Sequence, residues 1–221
     1  MSRFQPHLDI LPPAQRKIWP LLAPSARLGF VLYGGTAIAL RLGHRSSVDF
    51  DFFTDKPLDR RSIEGEFVFF ERSKVIQDHK DTLSLLTPLG SEDVRISFFG
   101  DIAIGRVGIP DRTPDGVLYV ASVADLMATK LKVIQQRIES KDYRDLAAIL
   151  RSGANLEVGL ASAAALYGPS FQPSEAMKAL TYFEGGDLAA LDAVDKKALI
   201  DAVARVRHVP LATLASKSLS A

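Results

Sequence analysis

Asp49 and Asp51 stand two residues apart inside the apolar run VDFDFF, a short distance after Gly34, Gly35 and Thr36. Carboxylates are costly to bury unless something charged offsets them. On a strand, residues i and i+2 project from one face, which puts the two aspartates together while Phe50 and Phe52 face the core. Two hard oxygen ligands on one face suit a divalent metal. The glycines tolerate φ > 0 and let a phosphate approach the backbone. A helix starting there would present open N–H groups and its positive dipole end, with the Thr36 hydroxyl as a further donor. Taken singly, each feature has an ordinary reading: a Gly-Gly packing turn, and a strand with one solvated face. Their spacing joins them. A helix of roughly 12 Å, at about 1.5 Å per residue, returns the chain to the sheet beside the glycine turn.

The elements that must position these residues are legible in outline. Residues 14–24 form a short helix interrupted at Pro20. From Arg27 to about Ala121, short apolar runs bounded by Gly, Pro, Asp or Ser predict strands: GFVLY, VDFDFF, EFVFF, TLSLL, VRISFF, VGIP and GVLYVA. TAIALRL, residues 36–42, is the exception: it is Ala/Leu-rich and is closed by Gly43 at a C-cap position. After Ser122 the pattern turns helical. SVADLMATKLKVIQQRIE opens with a Ser122–Asp125 capping box, and KDYRDLAAILRSG, NLEVGLASAAALYG, SEAMKALTYFEGG and KKALIDAVARVRH follow. Strands followed by helices predict an α+β fold, a mixed β-sheet with helices over residues 1–121 and an all-helical lobe over 122–221.

Bulk composition narrows the function classes. The chain has 221 residues, 47% of them hydrophobic and 24% charged, with a net charge of +1. That is a globular composition, and any nucleic-acid-binding surface must be local. The absence of cysteine removes disulfides, thiolate metal sites and a cysteine nucleophile. There is no G-x-x-x-x-G-K-[ST] phosphate loop and no G-x-S-x-G nucleophile elbow. No apolar run is long enough to span a bilayer, and MSRFQPHLDILPP is unlike a signal peptide, so the expectation is a cytoplasmic protein. The clearest basic excess lies between Lys130 and Arg151, with six basic and three acidic residues. By itself it also fits a solvated helical hairpin with internal ion pairs.

The Gly-Gly turn, helix and Asp-x-Asp strand together resemble the nucleotidyltransferase superfamily. More narrowly, GGTAIALRLGHRSSVDFDFF and the later block ADLMATKLKVIQQRIESKDYRDLAAIL are similar to the AbiEii family, the nucleotidyltransferase-like toxins of type IV toxin–antitoxin systems. The resemblance covers two blocks of roughly twenty-five residues and the order of elements between them. It implies that Gly34, Gly35 and Thr36 contact a triphosphate and that Asp49 and Asp51 ligate Mg²⁺ or Mn²⁺. By their position just after the helix, His44 and Arg45 could reach the phosphates, and a solvated turn is an equally good reading of both. Lys130, Asp142 and Asp145 would have catalytic roles, with Arg137 and Lys141 binding the nucleotide. The implied reaction is transfer of a nucleoside monophosphate from an NTP to an acceptor hydroxyl, with RNA, in particular the 3′ end of tRNA, as acceptor and an antitoxin protein as partner.

One position departs from the superfamily pattern. A third carboxylate commonly stands on a later strand, where it acts as general base. In VRISFFGD the aligned position is Ser97, which is neutral and a weak ligand. Asp93 and Asp101 are each four residues away, roughly 13 Å along a strand. Asp142 or Asp145 is therefore the expected substitute base. The alternative is a nucleotide- or partner-binding module on the same fold with weak chemistry or none. A protein-modifying adenylyl- or phosphotransferase is a further one.

Overall fold

The computed structural model describes residues 4–220; the first three residues of the N-terminal stretch and Ala221 lie outside that range. The chain divides into two compact units. The first runs to Gly105, resumes over Ile109–Ala121 and takes back the chain end from Ser216, while the second comprises Arg106–Gly108 and Ser122–Ala215.

The first unit is built on a seven-stranded mixed sheet: β1 (Val31–Tyr33), β2 (Phe50–Phe53), β3 (Lys74–His79), β4 (Thr82–Leu89), β5 (Glu92–Phe99), β6 (Asp111–Arg112) and β7 (Tyr119–Val120), in the order β3-β4-β5-β2-β1-β7-β6. β1 pairs antiparallel with β2, and β2 pairs parallel with β5. Register decides the faces. Leu32 pairs with Phe52, Phe52 with Phe98, and Phe98 with Leu83, and all four are buried. Phe30 and Phe67 join them edge-on or tilted against Phe98, at 5.1 Å between ring centroids in each case. The opposite face carries Tyr33, Asp51, Ser97 and Ser84 in one cross-strand row.

The N-terminal segment breaks at its prolines, giving α1 (Pro13–Ile18), a 3₁₀ turn over Trp19–Leu22 and α2 (Pro24–Arg27). Helix α3 spans Gly34–Leu42 and ends where expected: Gly43 takes φ 63°, and its N–H bonds the Ala39 carbonyl at 2.8 Å. Two strands expected from sequence do not form. EFVFF ends α4 (Arg60–Glu66) and leads into a 3₁₀ turn at Phe70–Arg72. Its in–out alternation imitates a strand, with Phe67 and Phe69 buried and Val68 exposed. However, Phe67 N–H bonds Ile63 O and Phe70 N–H bonds Phe67 O, so local bonds take the groups a ladder would need. VGIP is likewise unpaired, because Val107 and Gly108 N–H groups donate to the Asp125 carboxylate at 2.7 and 3.1 Å.

The second unit is helical: α5 (Val123–Val133), α6 (Ser140–Arg151), α7 (Leu156–Tyr167), α8 (Pro173–Thr181) and α9 (Ala193–Arg205). α5 stops at Val133 and gives way to turns, short of the QQRIE stretch expected to continue it. Its start is a reciprocal box in which Ser122 Oγ accepts from Asp125 N–H at 3.1 Å and donates to Asp125 Oδ2 at 2.6 Å. Asn155 and Asp192 cap α7 and α9 one way only, each accepting a backbone N–H, from Glu157 and Asp195 respectively. Among the described residues no helix is long and apolar enough to cross a membrane.

Candidate active site

In the first unit the structure gathers Gly34, Gly35, Thr36, Arg45, Asp49 and Asp51 at the junction of β1, α3 and β2. Gly34 has φ 73°, a conformation glycine alone adopts without strain. A Cβ on Gly34 would lie 2.6 Å from Asp51 Oδ2, so the carboxylate rests directly over the glycine backbone. A Cβ on Gly35 would overlap the Arg45 guanidinium and sit 3.4 Å from Ser47 Oγ. The two glycines thus allow a carboxylate and a guanidinium to approach the first turn of α3, whose N-cap residue Tyr33 makes no side-chain cap bond. Such a turn offers its N–H groups and a positive dipole end to an anion.

The two aspartates are held differently. Asp51 lies within β2, paired with Tyr33 on one side and Ser97 on the other. Asp49 precedes β2 in a stretch without regular structure, and the ladder starts only at Phe50. Thr36 reaches that stretch: its buried hydroxyl bonds the Asp49 carbonyl and meets Ser47 Oγ at 2.8 Å. Thr36 therefore fixes the chain carrying Asp49, a role different from the phosphate donor expected of it.

The parallel register of β2 and β5 puts Ser97 beside Asp51, at the third-carboxylate position. Ser97 is buried and accepts a hydrogen bond from Ser84 Oγ at 3.0 Å, and Ser84 also meets Gln77 Oε1 at 3.4 Å. A hydroxyl and amide row crosses β5, β4 and β3 where a carboxylate would otherwise stand. Asp93 pairs with Pro88 near the far end of the hairpin and does not substitute. Asp49, Asp51 and Ser97 offer only oxygen donors, and no group of three His, Cys, Asp or Glu gathers among the described residues. The oxygen donors fit Mg²⁺, which is commonly held by one or two carboxylates and completes its shell with water and substrate phosphates.

The second unit collects the remaining expected residues. Lys130 Nζ lies 2.6 Å from Asp142 Oδ1 and 2.7 Å from Asp145 Oδ2. Both carboxylates are 0% exposed and Lys130 only 6%. Arg137 Nε adds a bond to Asp142 Oδ2 at 2.8 Å. Burial raises the proton affinity of Asp142, but the Arg137 hydrogen bond and the Lys130 charge outweigh it and hold the carboxyl below the usual carboxylate range. This corrects the expectation of a general base at Asp142 or Asp145. The Asp142 carboxylate, fully buried and held by Lys130 and Arg137, does not take a proton readily, and the Asp145 carboxylate is equally removed from solvent against the same lysine. Their spacing of three residues put them on one helix face as expected, and that face is the core. Lys141 pairs with Glu139 at 2.8 Å, and both Lys141 and Arg137 keep about half their side chains in solvent.

Sequence reasoning missed Gln15, Ser47, Ser84 and Gln77. The first two support the Asp49 segment through isolated polar contacts, and no spacing rule marks them. Ser84 was visible as a polar residue inside the apolar run TLSLL, a signal for a buried hydroxyl partner.

The sequence model of the family described as nucleotidyl transferase AbiEii toxin, type IV TA system, matches residues 21–208. An uncharacterized protein of Aquifex aeolicus (strain VF5), aq_aa25, is 36% identical over 124 residues, which are 55% of this chain. The chain spans 58% of that relative's length. Among solved structures, an antigenic nucleotidyltransferase-like protein from Paracoccidioides brasiliensis aligns at 15% identity with a TM-score of 0.46, covering 83% of this chain and 93% of its own. MenT4, a nucleotidyltransferase toxin from Mycobacterium tuberculosis H37Rv, aligns at 14% identity with a TM-score of 0.48, covering 85% and 90%.

Proposed function

The chain belongs to the AbiEii nucleotidyltransferase toxin family, and on that premise we propose that it transfers a nucleoside monophosphate from an NTP to a hydroxyl of RNA, the 3′ end of tRNA in particular. The observation that carries the reading is the Asp51 carboxylate seated over Gly34 at the start of α3, with Arg45 over Gly35. The sheet unit is read as the catalytic domain, and the helical unit as a separate domain. The setting is the cytoplasm, with an antitoxin protein as partner.

Asp49 and Asp51 would hold Mg²⁺ or Mn²⁺. When bound, the ion neutralises the phosphate oxygens and stabilises charge in the in-line displacement. The chain's own residues do the rest. The N–H groups of the α3 start orient the β- and γ-phosphates, and Arg45 neutralises them from across Gly35. Arg137 and Lys141, half in solvent on the helical unit, keep the anion-binding role that the family resemblance implies for them. The acceptor oxygen bonds to the α-phosphorus, pyrophosphate leaves, and the acceptor proton passes to water or a phosphate oxygen, because Ser97 does not take it at neutral pH. Lys130, Asp142 and Asp145 serve by holding α5 and α6 together.

A second reading is favoured by one observation, the buried Ser97–Ser84 pair in place of a strand carboxylate. It makes the chain a nucleotide-binding module with little chemistry. Incubation of the protein with each α-labelled and γ-labelled NTP, Mg²⁺ or Mn²⁺, total tRNA and carrier protein separates the readings. Label from the α-position in RNA supports transfer. Nucleotide binding without labelled product supports the module, and label in protein points to a protein-modifying transferase.

A further inference from the structure

Asp49 needs an anchor that the sheet does not supply. It precedes β2, and residues 43–49 have no regular structure. Val48 is 51% exposed and Ser46 is exposed, so of these neighbours only Ser47 is buried. Two side chains from different elements hold the segment's backbone. Gln15, on α1 and 3% exposed, donates from Nε2 to the Val48 carbonyl at 3.0 Å. Thr36, on α3, donates to the Asp49 carbonyl, and Ser47 Oγ lies 2.8 Å from the same hydroxyl.

The Gln15 amide also carries a cost. Its buried Oε1 has no partner among the described residues. A buried acceptor left unpaired costs about 1–3 kcal/mol, comparable to the net worth of the bond that Nε2 makes. On stability alone an apolar residue of the same length would serve equally well. What the glutamine supplies is a fixed position for the carbonyl one residue before Asp49. We propose that Gln15 and Thr36 form a clamp on consecutive carbonyls that sets the Asp49 carboxylate for the metal, with Gln15 as a positioning residue. Gln15 lies ahead of the family-matched segment, which starts at residue 21. The clamp is thus completed by an element outside that segment. This inference rests on the reading of Asp49 as a metal-holding residue.

The test is Mn²⁺ binding to the full chain, followed by electron paramagnetic resonance of the free ion well below the unfolding temperature. Wild type is compared with Gln15→Met, Gln15→Asn, Thr36→Val, Thr36→Ser and Asp49→Asn. Removing a support of a metal ligand typically weakens affinity 10–100-fold, and the expectation for Gln15→Met is about tenfold at the low end. Gln15→Asn, one methylene too short to reach Val48, should match it if Gln15→Met fails to fold. Thr36→Val should weaken binding and Thr36→Ser restore it. Mn²⁺ affinity within twofold of wild type in a folded Gln15 variant, while Asp49→Asn binds weakly, overturns the clamp and spares the metal reading. Unchanged affinity in Asp49→Asn instead removes the metal reading and the clamp with it.

Discussion

Replacing Lys130 by methionine should destabilise the helical unit, and the size of the loss follows from its surroundings. Its ammonium lies 2.6 and 2.7 Å from two carboxylates that are wholly out of solvent. Methionine fills much of the same space but leaves Asp142 and Asp145 facing each other without the cation between them. Removing one partner of a buried pair costs about 3–5 kcal/mol, because the remaining charge has lost its compensation. Arg137 still bonds Asp142, which keeps the expected value near the lower end. At about 2–4 °C per kcal/mol for a chain of this size, the Tm should fall by roughly 6–12 °C. Urea unfolding followed by far-ultraviolet circular dichroism measures the loss directly. Further replacement by Asp142→Asn and Asp145→Asn should recover most of it, since no buried charge then remains. A K130M protein within about 1 kcal/mol of wild type would refute this structural account of the cluster, above all if transfer activity were lost at full stability.

Three further outcomes follow from particular contacts. Gly34→Ala should leave a folded protein with much weakened NTP binding, because the new Cβ meets Asp51 Oδ2 at 2.6 Å in a φ 73° backbone; isothermal titration with a non-hydrolysable NTP checks it. The Asp142 carboxyl is held below its ordinary value of 3.8, so it adds stability above that pH and loses it as pH falls through the lower folded value. Acid titration by circular dichroism should show that loss below pH 3.8, and Asp142→Asn should lack it. Burial, with the nearby Asp125 charge, pushes the Tyr167 phenol up to about 12, so the neutral phenol favours the folded state. That contribution is present below pH 10 and disappears as pH rises towards 12; ultraviolet titration should find late tyrosines, Tyr143 and Tyr182 being raised as well, and Tyr167→Phe should remove the one at about 12.

Much of the candidate site was legible because its chemistry is local in sequence. Gly34, Gly35, Asp49 and Asp51 lie within one turn–helix–strand unit, although Asp49 falls just before β2, so the strand spacing that was expected to put both aspartates on one face holds for Asp51 alone. The Ser97 departure was legible for the same reason, and the parallel register of β2 with β5 sets that serine beside Asp51. What sequence could not show were contacts made by folding distant segments together. Gln15 meets Val48 across 33 residues, and Ser84 meets Ser97 only once the β4–β5 hairpin closes. The helical block misled in a specific way. Lys130, Asp142 and Asp145 share faces with charged neighbours and read as a surface, yet they neutralise one another and go inside. EFVFF misled through period-two burial without pairing, because local helical turns had already taken its backbone bonds.

The central claim is that Asp49 and Asp51 together make the sheet unit a nucleotidyltransferase. Its most direct measurement is incorporation of α-labelled NTP into tRNA by wild type, Asp49→Asn and Asp51→Asn, each verified as folded by circular dichroism. The account predicts incorporation by wild type, dependent on divalent metal, and a loss of at least a hundredfold in either variant. Undiminished incorporation by a folded Asp51→Asn protein would contradict it.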